Sequence, residues 1–201
     1  MKAKQIFGVP DQKKGGFHDT ESQQYFDNPL IAQQYFAKLK EKFFSVNEWK
    51  NFCNDTLADF KLFDLNGKPV NNIPKVGNFI RIDIPGPGNS ESKGYDWVKI
   101  TRIINEKEED SERILIRCSP SVSPQNMNTH ILHFYANTST STFIISLQNK
   151  TIKAAVYGRN ETPNFNTTLP NKIRSLFIAL GGIFGIAKIQ WKHLTDGLLD
   201  F

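Results

Sequence analysis

The stretch STFIISLQNKTIKAAVYGRNETPN, Ser141 to Asn164, decides the fold class. Phe143, Ile145 and Leu147 alternate with Ile144 and Ser146. Ile152, Ala154 and Val156 alternate with Lys153, Ala155 and Tyr157, which is the two-residue period of half-buried strands. With Gln148-Asn149-Lys150 between them, the two runs read as a β-hairpin with one apolar face on a core. Gly158 to Asn164 then reads as a polar exit loop.

Upstream of the hairpin, the same period recurs. Phe60, Leu62, Phe63 and Leu65 lead into the turn signal Asn66-Gly67. Phe79 to Ile84, Tyr95 to Ile104, Arg113 to Cys118 and His130 to Tyr135 read as further strands. Loops are expected at Pro85 to Gly94 and Ser119 to Asn128, and the acidic run Glu106, Glu108, Glu109, Asp110 as an exposed hairpin tip. About six strands follow one another with no crossover helices between them, so they are expected to be mostly antiparallel.

Helices flank this run. Asn28-Pro29 supplies an N-cap and a first-turn proline, and Ile31, Tyr35, Leu39 and Phe43 form an inward stripe. Ser45-Val46-Asn47-Glu48 fits a capping box and predicts a second helix, with Trp49, Phe52, Cys53 and Leu57 buried, completing an N-terminal helical hairpin. Near the C-terminus, Thr168-Leu169-Pro170 starts a helix that buries Ile173, Leu176, Phe177 and Leu180. Gly181, Gly182 and Gly185 follow, and then a second helical piece with Trp191, Leu194, Leu198 and Leu199, ending near Gly197. The fold class is therefore α+β, with C-terminal helices packed on the sheet. Residues 1–27 hold only scattered apolar side chains and read as an arm, leaving 28–201 as a single α+β domain.

Composition narrows the function. A chain of 201 residues with a net charge of +5 has enough length for a core without staples. Its Lys and Arg are dispersed, which argues against nucleic acid as a partner. Cys53 and Cys118 form no framework and read as buried thiols of a reducing compartment. Met1 to Pro10 lacks the apolar run of a signal peptide, so a cytoplasmic location is expected. Ser175 to Ala187 carries no charge but is shorter than the roughly 20 residues of a membrane span.

Chemistry-bearing patterns are sparse. No stretch matches the common nucleotide-, zinc- or calcium-binding motifs or the nucleophile elbow, and no cofactor is expected. His130 and His133 would point to opposite faces of a strand and lack a third metal ligand, so no metal is expected. His18 and His193 read as surface or cap residues. Two groups remain as candidate binding residues. Arg159, Asn160 and Glu161 sit just past the hairpin, either as an internal Arg–Glu pair tying the loop or as ligand contacts. Tyr95, Asp96 and Trp97 place a carboxylate between two rings, either as core packing with a loop cap or as a site.

Val76 to Gly88, Gly94 to Val98, Ser141 to Ile144 and Gly158 to Asn164 resemble segments of an uncharacterised group of Bacteroidetes proteins, some encoded near contractile or type VI secretion components. The resemblance covers the chain from about residue 45 onward and brings no catalytic residues. It implies a non-enzymatic accessory or adaptor that binds another protein. A second expectation is a helix-grip arrangement, similar to START and Bet v 1 proteins, binding a small apolar ligand. Its first strand would come from Gln5 to Val9. A third is a hydrolase-type enzyme in which Arg159, Glu161, Asp96 and histidines converge.

Overall fold

The computed structural model describes residues 2–52, 58–83, 95–125, 131, 133–164 and 183–201, without the side chains of 183–188. Its elements are β1 (Gly16–Tyr25), α1 (Pro29–Phe44), a 3-10 helix (Val46–Phe52), β2 (Asp59–Phe63), β3 (Phe79–Asp83), β4 (Asp96–Lys107), β5 (Ser111–Pro120), β6 (Thr140–Gln148), β7 (Thr151–Glu161) and α2 (Ile183–Leu198). Seven strands form one sheet in the order β1-β7-β6-β5-β4-β3-β2, antiparallel throughout.

The α+β class holds, with one unexpected strand gained and one expected strand, His130 to Tyr135, not found among the described residues. The extra strand, β1, lies inside the segment read as an arm, and it also replaces Gln5 to Val9 as the first strand. Its sequence is polar on both faces, so it shows no hydropathy period. Outward, Glu21 binds Lys4 and Lys153 at 2.8 Å each. Inward, Ser22 bonds Thr195 and Asp196 on α2. The backbone ladder to β7 holds the strand, and its charges keep this edge from pairing with other chains. His130 to Tyr135 is not a described strand: Tyr135 makes a single bridge to Pro163, and residues 130 and 132 lie outside the described part.

The inner face of the sheet carries Ile82, Val98, Ile100, Ile114, Ile116, Phe143, Ile145, Leu147, Ile152, Ala154 and Val156, packed under both helices. Asn28 caps α1, its side chain accepting the Leu30 N–H at 2.8 Å. The buried stripe is Ala32, Phe36, Leu39 and Phe43: Leu39 and Phe43 are buried as expected, while Ala32 and Phe36 take the places expected for Ile31 and Tyr35, and Ile31 is 42% exposed. Leu30 and Ile31 made two overlapping stripes possible, and tertiary contact selects the one with alanine at its start.

The expected second helix is a 3-10 turn. Ser45 is already engaged in closing α1: its N–H donates to the Glu41 and Lys42 carbonyls and its hydroxyl to Glu41. Asn47 is drawn to β2, accepting the Leu62 N–H at 2.7 Å and donating to the Val70 carbonyl at 2.9 Å. These ties hold the chain in a tight turn and bring Trp49 against Phe60 and Phe143, with Trp191 of α2 closing the aromatic cluster. Cys53, Leu57 and the expected helix from Thr168 to Leu180 lie outside the described residues. Trp191, Leu194 and Leu198 are buried as expected. Gly197 lets α2 meet the 3-10 helix: a Cβ there would stand 1.6 Å from the Phe52 carbonyl oxygen.

On the outer face Leu115, Ile144, Ala155 and Tyr157 form a second cluster, against which Ile6 and Val9 pack. Among the described residues no helix is long and apolar enough to cross a membrane.

Candidate functional site

The polar residues that gather on the inner face do so because β7 ends in a bulge. Gly16 pairs with Glu161 and His18 with Gly158, so Arg159 and Asn160 stand opposite the single residue Phe17. Asn160 takes φ 55, a left-handed conformation that asparagine tolerates better than most residues. The irregularity rotates the strand by one face. Arg159 keeps to the outer face with Tyr157, whereas Glu161 turns inward beside Gly158.

Around Glu161 the packing is tight. Its Oε1 lies 3.4 Å from His18 Nε2, and His18 Nδ1 lies 3.2 Å from Thr20 Oγ1. The Tyr135 hydroxyl neighbours the same carboxyl. A Cβ on residue 158 would come within 2.1 Å of Glu161 Oε1 and 2.4 Å of His18 Cδ2, so only glycine fits there. Glu161 and His18 are 2% and 5% exposed, which takes both away from bulk water.

A second carboxyl is linked to this group through the segment His133 to Tyr135. Asp96 opens β4 on the inner side, opposite Ile82, and accepts the Phe134 backbone N–H. His133 Nδ1 accepts the Tyr135 N–H at 2.9 Å. Asn164 braces the segment by donating to the Ile131 and His133 carbonyls at 3.2 and 3.1 Å.

Burial governs the electrostatics. It pushes the Glu161 carboxyl up to about 7, against the opposing pull of the Arg159 charge and the Tyr135 hydroxyl. It pushes Asp96 up to about 8, against the Phe134 N–H. It pulls His133 down to about 3, so that imidazole is neutral. The Cys118 thiol is pushed up to about 12, too high for a nucleophile at neutral pH. Burial therefore lowers the charge that Glu161 and Asp96 carry near neutral pH. No group of three or more His, Cys, Asp and Glu able to hold a metal ion occurs among the described residues.

The residues expected from sequence are placed as follows. Arg159 does not pair with Glu161. It is 1% exposed on the outer face, pairs with Asp19 at 2.7 Å, and donates to the carbonyls of His18, Gly158 and Lys4 at 3.0, 2.7 and 2.8 Å. Asn160 holds the N-terminal segment: its Oδ1 accepts from Lys13 and Lys14, and its Nδ2 donates to Asp11. Both belong to β7 rather than to an exit loop. Tyr95 and Trp97 face outward, Tyr95 under the Arg81 guanidinium at 4.0 Å and Trp97 against Phe63, so Asp96 does not lie between their rings. Of the six, only Glu161 and Asp96 reach the inner face, and the His133 to Tyr135 segment connects them. Thr20, Tyr135 and Asn164 carry no sequence signal, and His18, expected at the surface or as a cap, is instead buried beside Glu161. Recognising β1 would have exposed His18 and Thr20, because alternation along a strand puts His18, Thr20 and Ser22 on one face.

No family model matches the chain, and no curated protein sequence matches it. Among solved structures, a hypothetical protein of Helicobacter pylori, jhp0584, is similar over 97% of this chain and 98% of its own, with a TM-score of 0.50 and 10% identity. That is a likeness of fold. Weaker matches are Ara h 8.0201, with a TM-score of 0.37, 11% identity and coverage of 92% and 100%, and the major latex-like protein 151 of Panax ginseng, with 0.36, 11%, 90% and 99%.

Proposed function

We propose that this protein is a helix-grip binder of a small, largely apolar molecule whose polar head group meets Glu161, His18 and Tyr135. The topology supports this reading: a first edge strand, two helical pieces, six further strands in a meander and a long closing helix laid on the inner face. That order is what the helix-grip arrangement requires. The carrying observation is the placement of Glu161 and Asp96 on that inner face, with both carboxyls raised toward neutrality by burial. A carboxyl desolvated in this way is unfavourable as pure scaffold, and one with a perturbed pKa is a candidate recognition group. In its protonated form, populated up to about pH 7, Glu161 donates as well as accepts a hydrogen bond, which suits a hydroxyl or carbonyl on an otherwise apolar ligand. Trp49, Phe60, Phe143 and Trp191 fill the middle of the inner face, so the ligand would lie toward the end where β7 finishes and β4 begins. The accessory or adaptor role implied by the Bacteroidetes resemblance has no further observation behind it.

The test is a titration with the fluorescent apolar probe 8-anilinonaphthalene-1-sulfonate, competed by fatty alcohols, sterols and fatty acids, with near-UV circular dichroism monitoring native packing. One saturable site, emptied preferentially by uncharged competitors, is the expected result. Probe uptake that never saturates, or none at all by a protein with native dichroism, would remove the proposal.

A further inference from the structure

The outer face of the sheet carries a separate device, independent of the inner-face reading. Residues 4–14 cross it and cover Leu115, Ile144, Ala155 and Tyr157, yet only Ile6 and Val9 pack on that cluster. None of residues 2–15 is buried, and Phe7 is 67% exposed. The segment bends around an open groove of roughly 680 Å³ lined by its own residues and Phe17. Few buried contacts and exposed hydrogen bonds place it at the low end of local stability.

What holds it is mostly recognition of its backbone. Arg113 donates to the Phe7 carbonyl, Arg117 to Gly8 and Arg159 to Lys4. Arg102 stands opposite Arg117 in the β4–β5 register, a like-charge neighbour that is unfavourable without an anion. Among the described ion pairs only Arg159 of these four has a carboxylate, Asp19. Arg113 and Arg117 meet neutral carbonyls, although guanidinium groups bind carboxylates more strongly.

We propose that residues 2–14 are a releasable strap, and that the face beneath docks an extended segment of a partner protein carrying an acidic side chain where Phe7 now sits. The strap defines the rest of the pattern. A basic residue at the Lys4 place meets Glu21, as Lys4 Nζ does at 2.8 Å. Apolar residues at the Ile6 and Val9 places seat on the cluster. Glycine is needed at the Gly8 place, where φ is +80 and a Cβ would stand 2.7 Å from Leu115 Cδ1. The Phe7 ring lies 5.8 Å from the Arg113 guanidinium, within reach of a carboxylate substituted there.

Two labelled peptides of residues 2–14, one with the native sequence and one with Phe7→Glu, are titrated into the full chain while amide exchange is followed. The Phe7→Glu peptide is expected to bind about tenfold more tightly, and at saturation to speed exchange of residues 4–14 about tenfold or more. In the Arg113→Gln chain the two peptides should bind equally. Equal affinities for the unaltered chain, or strap amides as protected as those of β6 and β7 with no peptide uptake, would overturn the proposal. A concentration-dependent dimer that exchanges straps and takes up no peptide would also overturn it, assigning the face to a second copy.

Discussion

Arg159 Nη2 lies 2.7 Å from Asp19 Oδ1 on the outer face of the sheet, whereas Glu161, two residues further along β7, faces the opposite side beside His18. A single bulged strand thus places a guanidinium and a carboxylate back to back. Each finds its partner on β1 instead of in the other. The guanidinium is held by Asp19 and three backbone carbonyls, whereas the Glu161 carboxyl is raised by burial beside His18, so the two residues play different parts at the end of one strand.

Arg159→Ala should therefore act on stability. Breaking a buried ion pair costs about 3 kcal/mol or more, because the remaining charge is stranded. Urea denaturation of Arg159→Ala, Asp19→Asn and the double variant should give clearly non-additive losses, while probe binding on the inner face persists at temperatures where the variant is folded. Additive losses would show that the two residues act separately.

Gly158→Ala should be the most damaging methyl group in β7. Its Cβ would meet Glu161 Oε1 at 2.1 Å and His18 Cδ2 at 2.4 Å, and overpacking of this kind costs about 1–3 kcal/mol. Removing one of the obstructing groups with Glu161→Ala should recover part of that loss in the double variant. No recovery would mean the strain lies in the backbone.

The Glu161 carboxyl sets a direction for pH. Its folded value of about 7 exceeds the ordinary 4.5, so the folded state holds the proton more tightly. The stabilisation is full below about pH 4.5 and is lost as pH rises through about 7. Glu161→Gln should gain on the native protein across that window by about 3 kcal/mol. Denaturation of both proteins at pH 4 and pH 8 checks it; a constant difference would refute the shift. Asp96 acts in the same sense up to about pH 8, while His133, lowered to about 3, raises stability with pH between about 3 and 6.5. The variant-minus-native difference isolates the Glu161 part.

Asn160→Gly keeps the left-handed backbone but deletes the bonds to Lys13, Lys14 and Asp11. Global stability should fall by no more than about 1 kcal/mol, while amide exchange of residues 11–14 should accelerate well beyond that of β6. Uniform acceleration across the sheet would show that the strap and the domain unfold together.

Sequence periodicity revealed the parts of this fold whose two faces differ. The β6–β7 hairpin was legible because Phe143, Ile145 and Leu147 face Ile152, Ala154 and Val156 across one apolar surface. β1 was hidden because its inward side chains, His18, Thr20 and Ser22, meet polar partners on β7 and α2, while Asp19 and Glu21 meet cations outside. A strand polar on both faces is indistinguishable from a tail until its partners are known. The 3-10 helix misled for a related reason: Ser45 and Glu48 have capping-box spacing, but Asn47 is engaged with β2, a contact no local pattern encodes. Within the candidate site, Glu161 and Asp96 could be singled out as carboxylates near strand ends. Their faces could not, since the bulge at Asn160 shifts the alternation by one. His18 and Tyr135 reach the site only through pairings more than a hundred and about 25 residues distant, and those are fixed by topology.

The contact between Gly197 and the Phe52 carbonyl oxygen sets how closely α2 approaches the 3-10 turn. With hydrogen as its side chain, Gly197 is a spacer of minimal thickness between the closing helix and the 3-10 turn, and Lys42 clasps the joint by donating to the Gly197 carbonyl at 3.3 Å. Any larger residue would act as a shim, levering α2 away from the sheet at that end. The spacing between the closing helix and the 3-10 turn is thus gauged by one missing methyl group.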